Sequence, residues 1–175
     1  MHEEGWNDFY SLEKLPALIS VSGFSTSQRF KALTPGCPAY LAIHTIRDAQ
    51  VIAGEEYLQK GGGSFARWQS YISDWHRNLY ECAEPAPNVA ADEILLLSPR
   101  QLSMTETLQE YPSRQMLAAG LDACPACRVA YVVPRAKTGL LEAIPEVYFY
   151  EPITPQLRNP REHEKRGFVN GMVVP

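Results

Sequence analysis

Residues 24–46 read FSTSQRFKALTPGCPAYLAIHTI, and the pairing of this stretch decides the fold. From Phe24 to Leu33, Ser25, Ser27, Arg29 and Lys31 alternate with Thr26, Gln28, Phe30 and Ala32. That period of two predicts a strand with one partly exposed face. TPGCP (34–38) holds two prolines and a glycine, the composition of a turn. Ala39 to Ile46 then reads as a second strand, and so short a connection makes the pair an antiparallel hairpin.

Upstream, Trp6 to Val21 places apolar residues at 6, 9, 12, 15, 18 and 19, near the helical period. Asn7 and Asp8 suit its first turn. Pro16 lacks an N–H and crowds the Leu12 carbonyl, so the helix should kink or restart there, with Gly23 closing it. Downstream, 48–59 reads as a short helix and KGGGS (60–64) as a flexible break. A longer helix is expected over 65–82, carrying Trp68, Tyr71, Ile72, Trp75, Leu79 and Tyr80 on one face. AEPAPN (83–88) is a linker and Glu93–Leu97 a strand. A second, weaker copy of the same order follows: helix 103–119, strand 128–133, a short helix near Leu140 and strand VYFYEPI (147–153). LRNPREHEKRG (157–167) should be exposed, and FVNGMVV (168–174) a late strand or an arm laid on a partner. Helices interleaved with antiparallel strands predict an α+β fold of two degenerate half-repeats, 1–90 and 91–157, with a charged tail or arm over 158–175.

Composition narrows the function classes. With 175 residues, 45% apolar and 21% charged, the chain suits one compact domain or two halves sharing a core. A net charge of −4 and no Lys/Arg stripe argue against nucleic acid as a partner. No apolar run approaches the roughly 20 residues of a membrane helix. MHEEGWND is acidic with no apolar segment behind it, so a cytoplasmic protein is expected. Cys124 and Cys127 have CxxC spacing, but the helix before them ends instead of beginning, and Cys37 and Cys82 add no second knuckle. No metal site is expected, and the pair reads as a turn.

Asn7, Phe9, Tyr10, Glu13, Lys14, Leu15, Pro16, Gly23, Phe24, Arg29 and Phe30 together resemble the dimeric α+β barrels of ferredoxin-like topology, in particular their EthD-like branch. That family's first helix commonly runs Trp-Tyr then Glu-His-Leu-Pro, before a Pro-Gly-Phe turn and a strand holding Arg-Phe or Arg-Tyr. AYLAIHTI and WQSYISDWHRNLYE also look like the corresponding parts. Two departures stand out: Lys14 occupies the histidine position, and the family's opening strand has no counterpart before Trp6. That slot would be filled by the C-terminal strand or by a partner, unless the chain begins late.

The resemblance implies a ferredoxin-like barrel and a homodimer around a mostly apolar pocket, and the plentiful aromatic residues point to a small organic ligand with an aromatic or alicyclic body and a carboxylate or hydroxyl. The resemblance also implies cofactor-free proton chemistry, such as isomerisation, cyclisation or decarboxylation. In such a barrel Leu41 and Ile43 would face helices, while Tyr40, Ala42, His44 and Ile46 would line the cavity. His44 is then the candidate proton carrier, with Lys14 and Glu13 as further acid–base candidates. Arg29 would hold an oxyanion, Tyr10 and Tyr40 would orient the substrate, and Trp68 and Trp75 would add aromatic contacts. Each has a plainer reading: a neutral core histidine, a surface lysine, glutamate or arginine, and core tryptophans. The rival functions are a non-catalytic binding or accessory barrel, which Lys14 favours, and a haem-binding relative with His76 as a conceivable ligand.

Overall fold

The computed structural model describes residues 2–72, 75–103, 111–162 and 168–174, with His2 and the last segment described by their backbone alone. The chain opens with helix α1 (His2–Asp8), a π-helical stretch (Phe9–Lys14) and α2 (Leu15–Ile19). The wide turn sits where Pro16 has no N–H to give the Leu12 carbonyl, so the expected break is a loosened winding in place of a sharp kink. Gly23 adopts φ +92°, and a β-carbon there would lie 2.5 Å from Val51 Cγ2. Only glycine permits this tight entry into β1 (Phe24–Ala32). β1 pairs antiparallel with β2 (Tyr40–Ile46), Ser27 opposite His44 and Arg29 opposite Ala42. The hairpin is as expected, but β1 is buried on both faces along most of its length instead of partly exposed.

After β2 come a 3-10 turn (Ala49–Ala53), α3 (Glu55–Gln59) and a second 3-10 turn (Ala66–Tyr71). The remaining elements are β3 (His76–Cys82), β4 (Glu93–Ser98), β5 (Ser113–Leu121), β6 (Cys127–Pro134), α4 (Thr138–Leu141), β7 (Tyr148–Pro152), β8 (Leu157–Arg158) and β9 (Phe168–Val174). The long helix expected over 65–82 is thus a single 3-10 turn followed by a strand. The helix expected over 103–119 is a strand from Ser113 onward, and 104–110 lie outside the described residues. Glycine 120, expected near a helix end, sits inside β5.

The strand order is β2-β9-β3-β5-β6-β4-β7-β1, with β8 also on β1 and β2 pairing back to β1. All the pairings are antiparallel. The curled sheet therefore closes its hydrogen-bonded ladder within one chain, which removes exposed edges. The C-terminal segment is a strand, wedged between β2 and β3, as one of its two expected readings had it. The stretch before it is less exposed than expected: Asn159 is buried, its N–H donating to Ser25 O, and Glu162 accepts from the Gly23 N–H. Residues 163–167 lie outside the described residues.

One core cluster draws Phe30, Leu41, Ile43, Tyr80, Leu95, Leu97, Met116, Ala130 and Tyr150 from seven strands, which marks it as the barrel interior. Leu41 and Ile43 therefore face inward, and the expected alternation along β2 is reversed. Tyr40 and Ala42 pack outward against Trp6, Tyr10 and Leu15, and Ile46 against Leu18 and Ile19. A separate cluster under α4 covers the outer face of β4, β6 and β7. The linker after β3 crosses one barrel end as a strap. Ala86 N–H donates to Thr45 Oγ1, Gln28 bonds both Val89 N and Val89 O, Gln156 donates to Ala86 O and Pro87 O, and Arg114 donates to Pro85 O. Among the described residues no helix is long and apolar enough to cross a membrane.

Candidate functional site

The outward residues of β1 and β2 meet the N-terminal helices in a sealed polar and aromatic layer. Arg29 is its centre, only 1% exposed. Its guanidinium donates to Asn7 O (3.2 Å), Asn7 Oδ1 (3.0 Å) and Ser11 Oγ (2.7 Å). It also lies 4.4 Å from the Tyr10 ring centroid and 5.4 Å from that of Tyr40. Among the described residues no carboxylate pairs with it. Burial pulls its pKa down to about 10, a low value for an arginine, against the opposing pull of the two phenols. The cation is held by helix oxygens and aromatic faces, so it fastens the π-helical stretch to β1. Tyr40 Oη donates to the Glu3 carboxylate and accepts from Asn7 Nδ2 at 2.8 Å. The Tyr10 hydroxyl is buried with no partner, and desolvation pushes its pKa up.

Lys14 is buried, not a surface lysine. Its Nζ donates to Gly61 O (2.6 Å) and Ser64 O (2.5 Å) and sits 4.9 Å from the Phe65 ring centroid. Burial, helped by the charge of Arg77, lowers its pKa to about 8. The KGGGS stretch is consequently a clamp and not a flexible break. Gly62 lies so flat on Tyr57 that a β-carbon would come within 2.4 Å of three ring atoms. That contact and the two carbonyls aimed at Lys14 account for the run of small residues.

His44 is 3% exposed, outside the barrel interior, against Phe24 at 5.5 Å between ring centroids. Its Nδ1 bonds Ser27 Oγ at 2.8 Å, and Nε2 has no partner. Desolvation, with the Lys14 charge adding to it, lowers its pKa to about 3, so the ring is neutral at neutral pH. The adjoining void, bordered by Leu18, Phe24, Tyr57 and Asn78, measures only about 20 Å³, room for one water molecule.

Tyr10, Lys14, Arg29, Tyr40 and His44 thus share one layer, but it lies under helices and not in a cavity. Glu13 is apart from them, exposed and 3.5 Å from Arg67. Trp68 and Trp75 are not on one helix; they cap the layer, Trp68 against Trp6 and Phe9, Trp75 against Phe65 at 4.8 Å. The void beside His44 holds one water and is far too small for haem, while His76 is exposed, 3.6 Å from Asp122. Among the described residues no three metal-binding side chains cluster, and Cys124 and Cys127 flank the turn between β5 and β6 as free thiols.

Sequence reasoning missed Asn7, Ser11 and Ser27, whose partners come from distant elements. No protein-family model matches the chain, and neither a curated protein nor a solved structure shows significant similarity to it.

Proposed function

We propose that the protein is a non-catalytic small-molecule-binding barrel built from two ferredoxin-like units in one chain. The strand orders support the fold part of this reading: β7-β4-β6-β5 in the second half, and β3-β9-β2-β1 in the first, with β9 in the slot that the first strand of a ferredoxin-like unit takes. A second copy is not needed to close this barrel, so the homodimer implied by the resemblance has no task in forming the ring.

One observation carries the binding reading. The interior is filled at mid-height by side chains such as Leu41, Leu95 and Leu97, each about fully buried, and the strap plugs one end. At the other end the inward or end-lying residues Ala32, Cys37, Ala118 and Tyr148 are only half-buried. An apolar, aromatic-edged mouth of this kind suits a small organic ligand. Catalysis by His44 is disfavoured because its ring is sealed and does not titrate near neutral pH. Lys14 Nζ is buried and donates to two backbone carbonyls, those of Gly61 and Ser64.

The experiment is a ligand-observed NMR and thermal-shift screen of small aromatic and alicyclic compounds. The reading expects hits that move the amide resonances of Cys37, Ala118 and Tyr148 and leave those around Lys14 and His44 in place. A panel without hits, or hits centred on His44, would refute it.

A further inference from the structure

Resting on that binding reading, we propose that the barrel end away from the strap recognises the carboxylate of a small organic acid through Arg128. β6 alternates, with Ala130 and Val132 in or against the interior cluster and Val129, Tyr131 and Val133 in the outer one. Arg128 shares the inward parity of Ala130 and lies near the start of the strand, beside the turn at 121–126 and away from the strap. Its Nε is buried and lacks a hydrogen-bond partner. No described carboxylate forms an ion pair with it.

The surroundings say which ligand fits. The Tyr80 hydroxyl donates to Pro125 O at 3.1 Å, so its lone pairs are left to accept from the guanidinium, with which it shares a hydrogen bond. That contact occupies part of the donor fork and leaves the Nε–H unmatched. An unmatched donor of a cation, shielded from water, is costly, and a carboxylate oxygen relieves that cost with a charge-assisted bond. Tyr150 also lies within electrostatic reach of Arg128, and Cys37 bonds Tyr150. The wall is thus neutral phenol, thiol and alkyl surface around a single cation. It favours one negative charge on an aromatic or alicyclic body over a multiply charged phosphate.

Sodium benzoate and its neutral analogue benzamide test this on the intact chain, followed by 1H–15N NMR that includes the arginine Nε–H signals. Benzoate should move the Arg128 Nε–H and the Ala118 amide, and bind at least about tenfold more tightly than benzamide. Arg128→Gln should weaken benzoate by about tenfold or more, while Arg128→Lys, which keeps the charge and loses the fork, should fall between the two. Phenylglyoxal labelling of the unaltered protein gives a readout that does not depend on how the variants fold, and benzoate must protect Arg128 from the reagent. Equal affinity for benzoate and benzamide, unchanged benzoate binding by a folded Arg128→Gln, or no protection would overturn the carboxylate site. Neutral hits at the same mouth would then leave the binding reading standing, whereas silence from the whole panel would remove both.

Discussion

Replacing Lys14 by methionine should abolish a rise in stability on the alkaline side that the parent protein shows. The Nζ is buried against Phe65 with two backbone carbonyls as partners, and burial holds its folded pKa at about 8, against 10.5 for the free side chain. Below pH 8 both folded and unfolded chains carry the proton, and the cost of burying the charge is constant. Between the two values the unfolded chain binds more protons than the folded one, so stability increases with pH. The difference of about 2.5 pH units corresponds to about 3 kcal/mol in full, of which about 2 kcal/mol has appeared by pH 9.5. Above about pH 10 the trend reverses, because burial raises the pKa of Tyr10 and the unfolded phenol ionises first. The assay is urea unfolding by tryptophan fluorescence at steps from about pH 6.5 to 9.5, for the parent and Lys14→Met. At the acid end the variant loses two hydrogen bonds and also a buried charge, so it should stay within about 2 kcal/mol of the parent. The decisive quantity is the gap between the curves, which should widen in the parent's favour as pH rises. Parallel curves would refute both the sealed environment of Lys14 and the clamp that provides it.

Gly62→Ala forces a methyl group against the face of Tyr57 and should cost about 1–3 kcal/mol in urea unfolding. Gly36→Ala, with open space around it and only its positive φ to oppose it, should cost about 1 kcal/mol. His44 should keep a neutral ring in NMR titration down to about pH 4; because its folded pKa is depressed to about 3, stability should fall as pH drops below the unfolded value near 6.5. A ring that titrates near neutrality would refute its burial.

What was legible in the sequence follows from how much of each pattern a single element carries. β1 alternates by itself, and β4, β6 and β7 are short apolar or aromatic runs, so their existence could be read without knowing their neighbours. β2 is buried along its whole length, on both faces, so the sequence offers no polar side from which to choose inward from outward. Alternation alone therefore leaves Tyr40 and His44 free to fall on either face, and the expectation of a catalytic interior rests on that open choice. β5, SRQMLAAGL, is composed largely of residues that favour helices, and its pairing with β3 and β6 overrides them. β3 likewise follows aromatic residues at helical spacing, although Tyr80 packs inside the barrel and Leu79 outside it. The candidate layer was legible residue by residue, since Tyr10, Lys14, Arg29, Tyr40 and His44 do gather. The purpose of that gathering was not, because Arg29 and Lys14 are satisfied by Asn7, Ser11 and the 61–64 backbone, which no local pattern connects to them.

The position of β9 yields the strongest test of the two-unit reading. β9 pairs with β2 from Val169 opposite Ile46 to Val173 opposite Ala42, so its C-terminal end lies at the Tyr40 end of β2. The first helix starts at that same end, where Glu3 meets Tyr40 and Lys31. The end of β9 and the start of α1 are therefore neighbours, and a strand running into that helix would restore strand-helix-strand-strand-helix-strand in the first half. A circular permutant that joins the end of β9 to His2 by a short Gly/Ser linker, and opens the chain between Glu162 and Phe168, changes the connection and none of the strand pairs. On the two-unit reading it should fold, keep the parent's amide pattern along β2 and β3, and unfold within about 1–2 kcal/mol of it, the change in loop closure alone. Deleting residues 168–175 instead should bare the facing edges of β2 and β3 and lead to association through them. A permutant that fails to fold, beside a deletion that stays monomeric and stable, would mean that the strand does not occupy the slot the first unit requires.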